Sequence, residues 1–244
     1  MWERVNDMIT VRIAELNIGV SYRYSLTGDF LSEYRVDGDA DFTVEVTDED
    51  LLYEAEFAEQ GTASEYLECA AVYRKIADKI TEYDGAVFHG AVLAIDGGAY
   101  VIAARSGVGK TTHIRLWLER FGDRVYVLNG DKPIIRAIDG ILYVCGTPYN
   151  GKEGYGKKEN LPLKAIAFLE RGENNSYERI TSSDALMRFM AQIYINDKNP
   201  VAVSKTLRLA SRILSEAELF EFRCNKDISA AEMAEKAFFG GASE

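Results

Sequence analysis

The feature that most limits the fold is a run of three parts: Ala99-Tyr100-Val101-Ile102-Ala103, then Ala104-Arg105-Ser106-Gly107-Val108-Gly109-Lys110-Thr111, then Ile114, Trp117, Leu118 and Phe121 at helical spacing. It reads as strand, glycine-rich loop and helix, with Gly122 as the stop. The loop matches G-x-x-x-x-G-K-S/T at every position but the first, which is Ala104. The pattern has a physical basis: glycines let successive backbone N–H groups turn inward as an anion nest, and the following helix offers its positive end to the same anion. Lys110 would then reach the β- and γ-phosphates of a nucleotide, and the Thr111 hydroxyl would ligate Mg²⁺. The expected contacts are Ser106, Gly107, Val108, Gly109, Lys110, Thr111 and Thr112. An incidental glycine turn is the alternative, and the flanking strand and amphipathic helix argue against it.

Upstream, Ala91–Ile95 and Ala99–Ala103 flank Asp96-Gly97-Gly98, so a hairpin and not a helical crossover precedes the loop, which predicts a mixed sheet. Downstream, Val125–Leu128 reads as a strand leading to Asp131, and Ile134–Ile138 with Ile141–Val144 as a hairpin about Asp139-Gly140. The remainder predicts a strand at Ala165–Leu169 and a helix near Asp184 to Ile195. A second helix with Val203, Leu207, Ala210 and Leu214 on one face follows, then a strand from Leu219 to Arg223. Ser229-Ala230-Ala231-Glu232 reads as the capping box of a last helix. Residues from about 8 to 57 alternate short β-like runs with turn signals, which suggests an antiparallel meander. Thr62-Ala63-Ser64-Glu65 reads as a capping box opening a helix that carries Cys69, Val72, Tyr73, Ile76 and Ile80. Asp84-Gly85 is the expected boundary, giving an N-terminal β-rich region over 1–84 and an α/β domain over 85–244.

With 28 basic against 39 acidic residues, a formal charge of -11 disfavours a broad nucleic-acid footprint. The start of the chain lacks a basic leader with an apolar core, and no apolar run reaches membrane-spanning length, so a cytoplasmic protein is expected. Cys69, Cys145 and Cys224 have neither zinc-site nor redox-pair spacing and read as structural thiols.

Three further positions are candidates for chemistry. His89 lies just before the hairpin that returns the chain to the glycine-rich loop, and from the residues alone it is either functional or a satisfied structural histidine. Asp131 ends a β run where P-loop proteins carry an acidic group that holds Mg²⁺ or takes the nucleophile's proton. The segment from Gly146 to Lys158 combines glycines, aromatics and three lysines, as a mobile lid over phosphate would require. Lys152 beside Gly151 is the preferred contact there, whereas Lys157 and Lys158 read as solvated surface charge.

Phe88-His89-Gly90, the loop from Ser106 to Thr111, Asn129-Gly130-Asp131-Lys132-Pro133, Gly146 to Lys152 and Pro162 to Ile166 together resemble the HPr serine kinase/phosphorylase catalytic domain and its smaller bacterial relatives. The resemblance implies an α/β fold with a mixed-sheet P-loop core of the phosphoenolpyruvate-carboxykinase-like type. It also implies ATP and Mg²⁺ as cofactors, Lys110 and Thr111 on phosphates and metal, His89 near the transferred phosphate, and an acidic residue, here Asp131, activating the acceptor. Thr111 and Asp131 are the implied metal ligands, and His89, Lys110, Asp131 and Lys152 the implied catalytic set. Members usually carry two adjacent aspartates, and this chain has Gly130 before Asp131. The acceptor would be a serine in a protein or peptide, or a small-molecule hydroxyl, and related enzymes form oligomers. The competing expectation is a regulatory module that binds nucleotide without turnover. A small-molecule enzyme like the carboxykinases is less favoured, because no clear set of carboxylate-binding arginines is visible.

Overall fold

The structure is a computed structural model, and it describes residues 4–240. The chain divides into two compact units at Tyr83/Asp84. No helix among the described residues is long and apolar enough to cross a membrane.

In the first unit, β1 (Arg4–Ile13) and β2 (Leu16–Tyr24) form an antiparallel hairpin whose turn residues Ala14 and Glu15 both have positive φ. β3 (Phe42–Glu45) pairs with β2 in parallel, so the expected antiparallel meander ends after its first hairpin. Helices α1 (Ser25–Leu31), α2 (Asp48–Phe57) and α3 (Ser64–Ile80) complete the unit. The capping box expected at Thr62 does not form: α3 starts without a side-chain cap, and the Thr62 hydroxyl donates to Glu59 O. The carboxylate of buried Glu68 on α3 instead accepts from Arg23 N, Tyr24 N and Thr27 Oγ1, serving the start of α1.

The second unit is built on a nine-stranded mixed sheet. Its strands are β4 (Gly85–Val87), β5 (Ala91–Ile95), β6 (Gly98–Ala103), β7 (Val125–Asn129), β8 (Ile134–Ile138), β9 (Ile141–Cys145), β10 (Asn160–Arg171), β11 (Ser176–Arg179) and β12 (Glu218–Cys224). The path runs β4-β8-β9-β10-β6-β5-β7, with β12 parallel to β10 on its far half and β11 beyond it. β5 is antiparallel to both β6 and β7, whereas β10 is parallel to β6. The ends of β7, β6, β10 and β12 and the start of β5 therefore share one edge.

Both faces of this sheet are covered, and the strands sort their residues with a period of two. Ala91, Leu93, Ile95, Tyr100, Ile102, Ala165, Ala167, Phe220 and Phe222 point to one face. There they meet α4 (Lys110–Phe121) and α7 (Ser229–Phe239) through Trp117, Phe121 and Phe238. Val92, Ala94, Val101, Ala103, Ile166 and Phe168 point to the other, against α5 (Ser182–Met190) and α6 (Pro200–Glu216) through Phe189, Leu209 and Ile213. Three details differ from expectation. The helix expected to reach Ile195 ends at Met190. On α6 the buried stripe is Ala202, Thr206, Leu209, Ala210, Ile213 and Leu214, and Leu207 is exposed. At α7 no capping box forms, because Ser229 N donates to Asp227 and Glu232 pairs with Arg120.

Candidate functional site

The shared edge of the sheet gathers the candidate residues in a fixed order. Asp131 follows β7, His89 precedes β5, the glycine-rich loop follows β6, Arg171 ends β10, and Asn225 follows β12. Backbone bonds lock the first two together: Gly90 N donates to Asp131 O at 2.9 Å, and Phe88 N to Pro133 O at 3.0 Å. His89 N in turn donates to Gln192 O at 2.8 Å.

The side chains converge. Lys110 Nζ lies 3.0 Å from His89 Nε2 and donates to Ala104 O at 3.1 Å. Asp131 Oδ1 lies 3.4 Å from the same His89 nitrogen. One imidazole nitrogen thus faces a cation and an anion. Burial lowers the pKa of Lys110 below the usual lysine range, with Asp131 opposing that shift. For Asp131, burial pushes upward, but the hydrogen bond and charge of His89, with Lys132 and Lys110, outweigh it and hold the carboxyl below its ordinary value. Asp131 is therefore a carboxylate at neutral pH.

The loop that carries Lys110 has Gly107 at φ 77° and Gly109 at φ 130°, conformations that other residues rarely adopt. Gly109 is the N-cap of α4 and provides no side-chain cap, so the first-turn amides of Lys110, Thr111 and Thr112 are open to an anion. Arg171 holds the loop from the neighbouring strand, its Nη2 donating to Gly107 O at 2.6 Å and its Nε to Val108 O at 3.3 Å. Thr111 lies in the same first turn, half-buried. A hydroxyl and one carboxylate are hard oxygen donors of the kind Mg²⁺ takes when phosphates supply the rest of its shell. Among the described residues no group of three or more His, Cys, Asp or Glu could hold a metal by itself.

The turn carrying Asp131 is held by a residue to which sequence reasoning gave no role. Asn129, fully buried, accepts from Asp131 N at 2.9 Å and Lys132 N at 2.8 Å through Oδ1. Its Nδ2 donates to Thr147 O and Oγ1, each at 3.1 Å, and Thr147 Oγ1 donates to Lys132 O at 2.8 Å. An Asx side chain bonding to amides two and three residues on is a turn device visible in Asn129-Gly130-Asp131 itself. Arg171 had no such local signal.

The segment from Gly146 to Lys158, expected as a lid, is tied to this turn: Lys132 N donates to Tyr149 O, Gly130 N to Tyr155 O and Lys157 N to Leu128 O. Lys152 is exposed at its tip and does not join His89, Lys110 and Asp131. Its neighbour Glu153 lies 3.9 Å from Arg115 of α4. Arginines do surround one cavity beside the loop, Arg105, Arg171 and Arg188. Arg171 is engaged with the loop carbonyls, and Arg188 is paired with Glu170 and Glu221. Cys145 and Cys224 are buried and Cys69 partly so, and none of the three is in a disulfide.

No family model and no curated protein matches this sequence. Among solved structures, the HPr(Ser) kinase/phosphatase from Coxiella burnetii aligns with 64% of this chain and 99% of its own, at 10% sequence identity and a TM-score of 0.36.

Proposed function

We propose that this chain is an ATP-dependent phosphotransferase that moves the terminal phosphoryl group to a hydroxyl, of a serine in a protein or peptide or of a small molecule. The observation that carries the proposal is the meeting of Lys110 Nζ, His89 Nε2 and Asp131 Oδ1 beside the uncapped start of α4. The amides from Ser106 to Thr112 cradle the polyphosphate, with the helix end favouring its charge. Mg²⁺, held by Thr111, Asp131 and the phosphate oxygens, would neutralise charge on the phosphates. Lys110 leaves Ala104 O and His89 for the phosphates, and His89 Nε2 is then free to donate to Asp131. Asp131, ionised at neutral pH, takes the acceptor hydroxyl proton as the oxygen attacks. Lys152 supplies a second cation from the exposed tip of the Gly146–Lys158 segment.

Two measurements on the same preparation test this reading. Mg-ATP should bind in a calorimetric titration, and Lys110→Ala should bind at least tenfold more weakly. Label from γ-labelled ATP should reach serine, HPr or a serine peptide, and should not do so with Asp131→Asn. Absence of heat with the parent protein would end the proposal.

A second reading, a nucleotide-binding regulatory module without turnover, is favoured by the single carboxylate of the cluster. Gly130, where a second acid would stand, has no room for a side chain. It predicts heat with Mg-ATP but no transfer to any acceptor, and nucleotide binding unchanged in Asp131→Asn.

A further inference from the structure

The order of groups along the sheet edge gives the polyphosphate a direction. Lys110, His89 and Asp131 sit on the β5–β7 flank of the glycine-rich loop, and β10 and β12 lie on the opposite flank. A terminal phosphate at Lys110 therefore leaves the other end of the ligand to run over Thr112 toward the ends of β10 and β12. A cavity of about 440 Å³ opens there, lined by Gly107, Thr112, His113, Arg171, Cys224 and Lys226 among others. That volume lies in the range of small-ligand sites.

One buried group in its lining lacks a partner. Trp117 Nε1 can only donate, and it donates to His113 Nε2 at 3.1 Å. Because Nε2 accepts that bond, the ring's proton is on Nδ1. That nitrogen has no hydrogen-bond partner, although the residue is only 2% exposed. A buried donor left open is costly unless something accepts from it.

We infer that this cavity is a nucleoside subsite: the base and ribose of the phosphoryl donor rest between the first turn of α4 and the end of β12, with His113 Nδ1–H offered to an acceptor atom of the ligand. The inference rests on the phosphate-binding reading of the loop and adds to it a recognition of the nucleoside, made by residues outside the motif. Leu169 and Cys224 give the cavity apolar wall, and Lys226 is an exposed cation of its lining.

Inorganic tripolyphosphate with Mg²⁺ separates the two levels, because it has the phosphates of ATP and no nucleoside. Mg-ATP should bind the parent protein at least tenfold more tightly than Mg-tripolyphosphate in calorimetry. A Lys226→Cys variant, whose exposed site tolerates the change, reports occupancy independently. Saturating Mg-ATP should slow maleimide labelling of the introduced thiol at least fivefold relative to saturating Mg-tripolyphosphate, counted against the parent's own three cysteines. Equal affinities for the two ligands, or equal labelling rates with both bound, would overturn the subsite while leaving the phosphate loop standing. If neither ligand binds, both fall together.

Discussion

Gly130 and the backbone carbonyl oxygen of Asn150 are packed so closely that a Cβ on residue 130 would stand well within 3.0 Å of that oxygen. Neither side can readily retreat. Gly130 N is bonded to Tyr155 O at 2.9 Å, and Asn150 N to Pro148 O at 3.0 Å. The lone carboxylate of the site thus follows from the seating of the Gly146–Lys158 segment on the Asn129–Lys132 turn.

Gly130→Asp should accordingly lower stability by about 1–3 kcal/mol through overpacking, read as a fall in the thermal midpoint. It should not raise phosphoryl transfer. A variant that kept the parent's midpoint and gained activity would show that the carbonyl does not exclude a second acid.

The fully buried Asn129 side chain bonds the amides of Asp131 and Lys132 and, beyond the turn, buried Thr147. Asn129→Ala takes its acceptor from Asp131 N and its donor from buried Thr147, while Lys132 N keeps Tyr149 O, at a cost of about 1–3 kcal/mol. Because the same bonds aim Asp131, transfer should fall further than nucleotide affinity does. Equal losses in kcat and in calorimetric affinity for Mg-ATP would make Asn129 a structural residue only.

The glycine-rich loop and its hairpin were legible because their signals are local: two β runs around Asp96-Gly97, glycines at positive φ, and an apolar stripe ending at Gly122. The convergence of His89 with Lys110 was half legible, since a hairpin returns the chain to its start. The helix over Asp48–Phe57 was missed because none of its residues is buried, so no apolar stripe marks it. Its mark in the sequence is local, the capping box of Thr47 and Asp50. Arg171 was invisible for another reason. Its role exists only because β10 lies beside β6, a pairing of residues more than 60 apart in the chain that no local pattern encodes.

That pairing yields a prediction of its own. Arg171→Ala removes the bonds to Gly107 O and Val108 O while leaving every phosphate-facing amide in place. The loop should lose preorganisation, weakening Mg-ATP several-fold with little change in the thermal midpoint of this exposed position. Unchanged affinity would remove Arg171 from the site.

Asp131 sets a pH dependence of one sign. Its folded-state pKa is lowered, so the stability it contributes is present above the unfolded value of about 3.9 and is lost as pH falls through the folded value. Asp131→Asn should therefore flatten the acid limb of the stability curve below about pH 4, measured by denaturant titration at successive pH values. An acid limb as steep as the parent's would mean that His89 and Lys110 do not stabilise the carboxylate.

His113 acts in a higher window, with its own sign. Its folded pKa is depressed to about 4, against about 6.5 for an unfolded histidine. Between those values the unfolded chain binds the extra proton, so stability falls as pH drops from about 6.5 toward 4, by on the order of 3 kcal/mol in all. Above that window the effect is absent, and below it the loss is complete. His113→Phe keeps the ring's bulk against Trp117 and Phe222 but cannot titrate. It leaves Trp117 Nε1 unpaired, which lowers stability at every pH, so the informative quantity is the slope between pH 6.5 and 4. That slope should shrink in the variant.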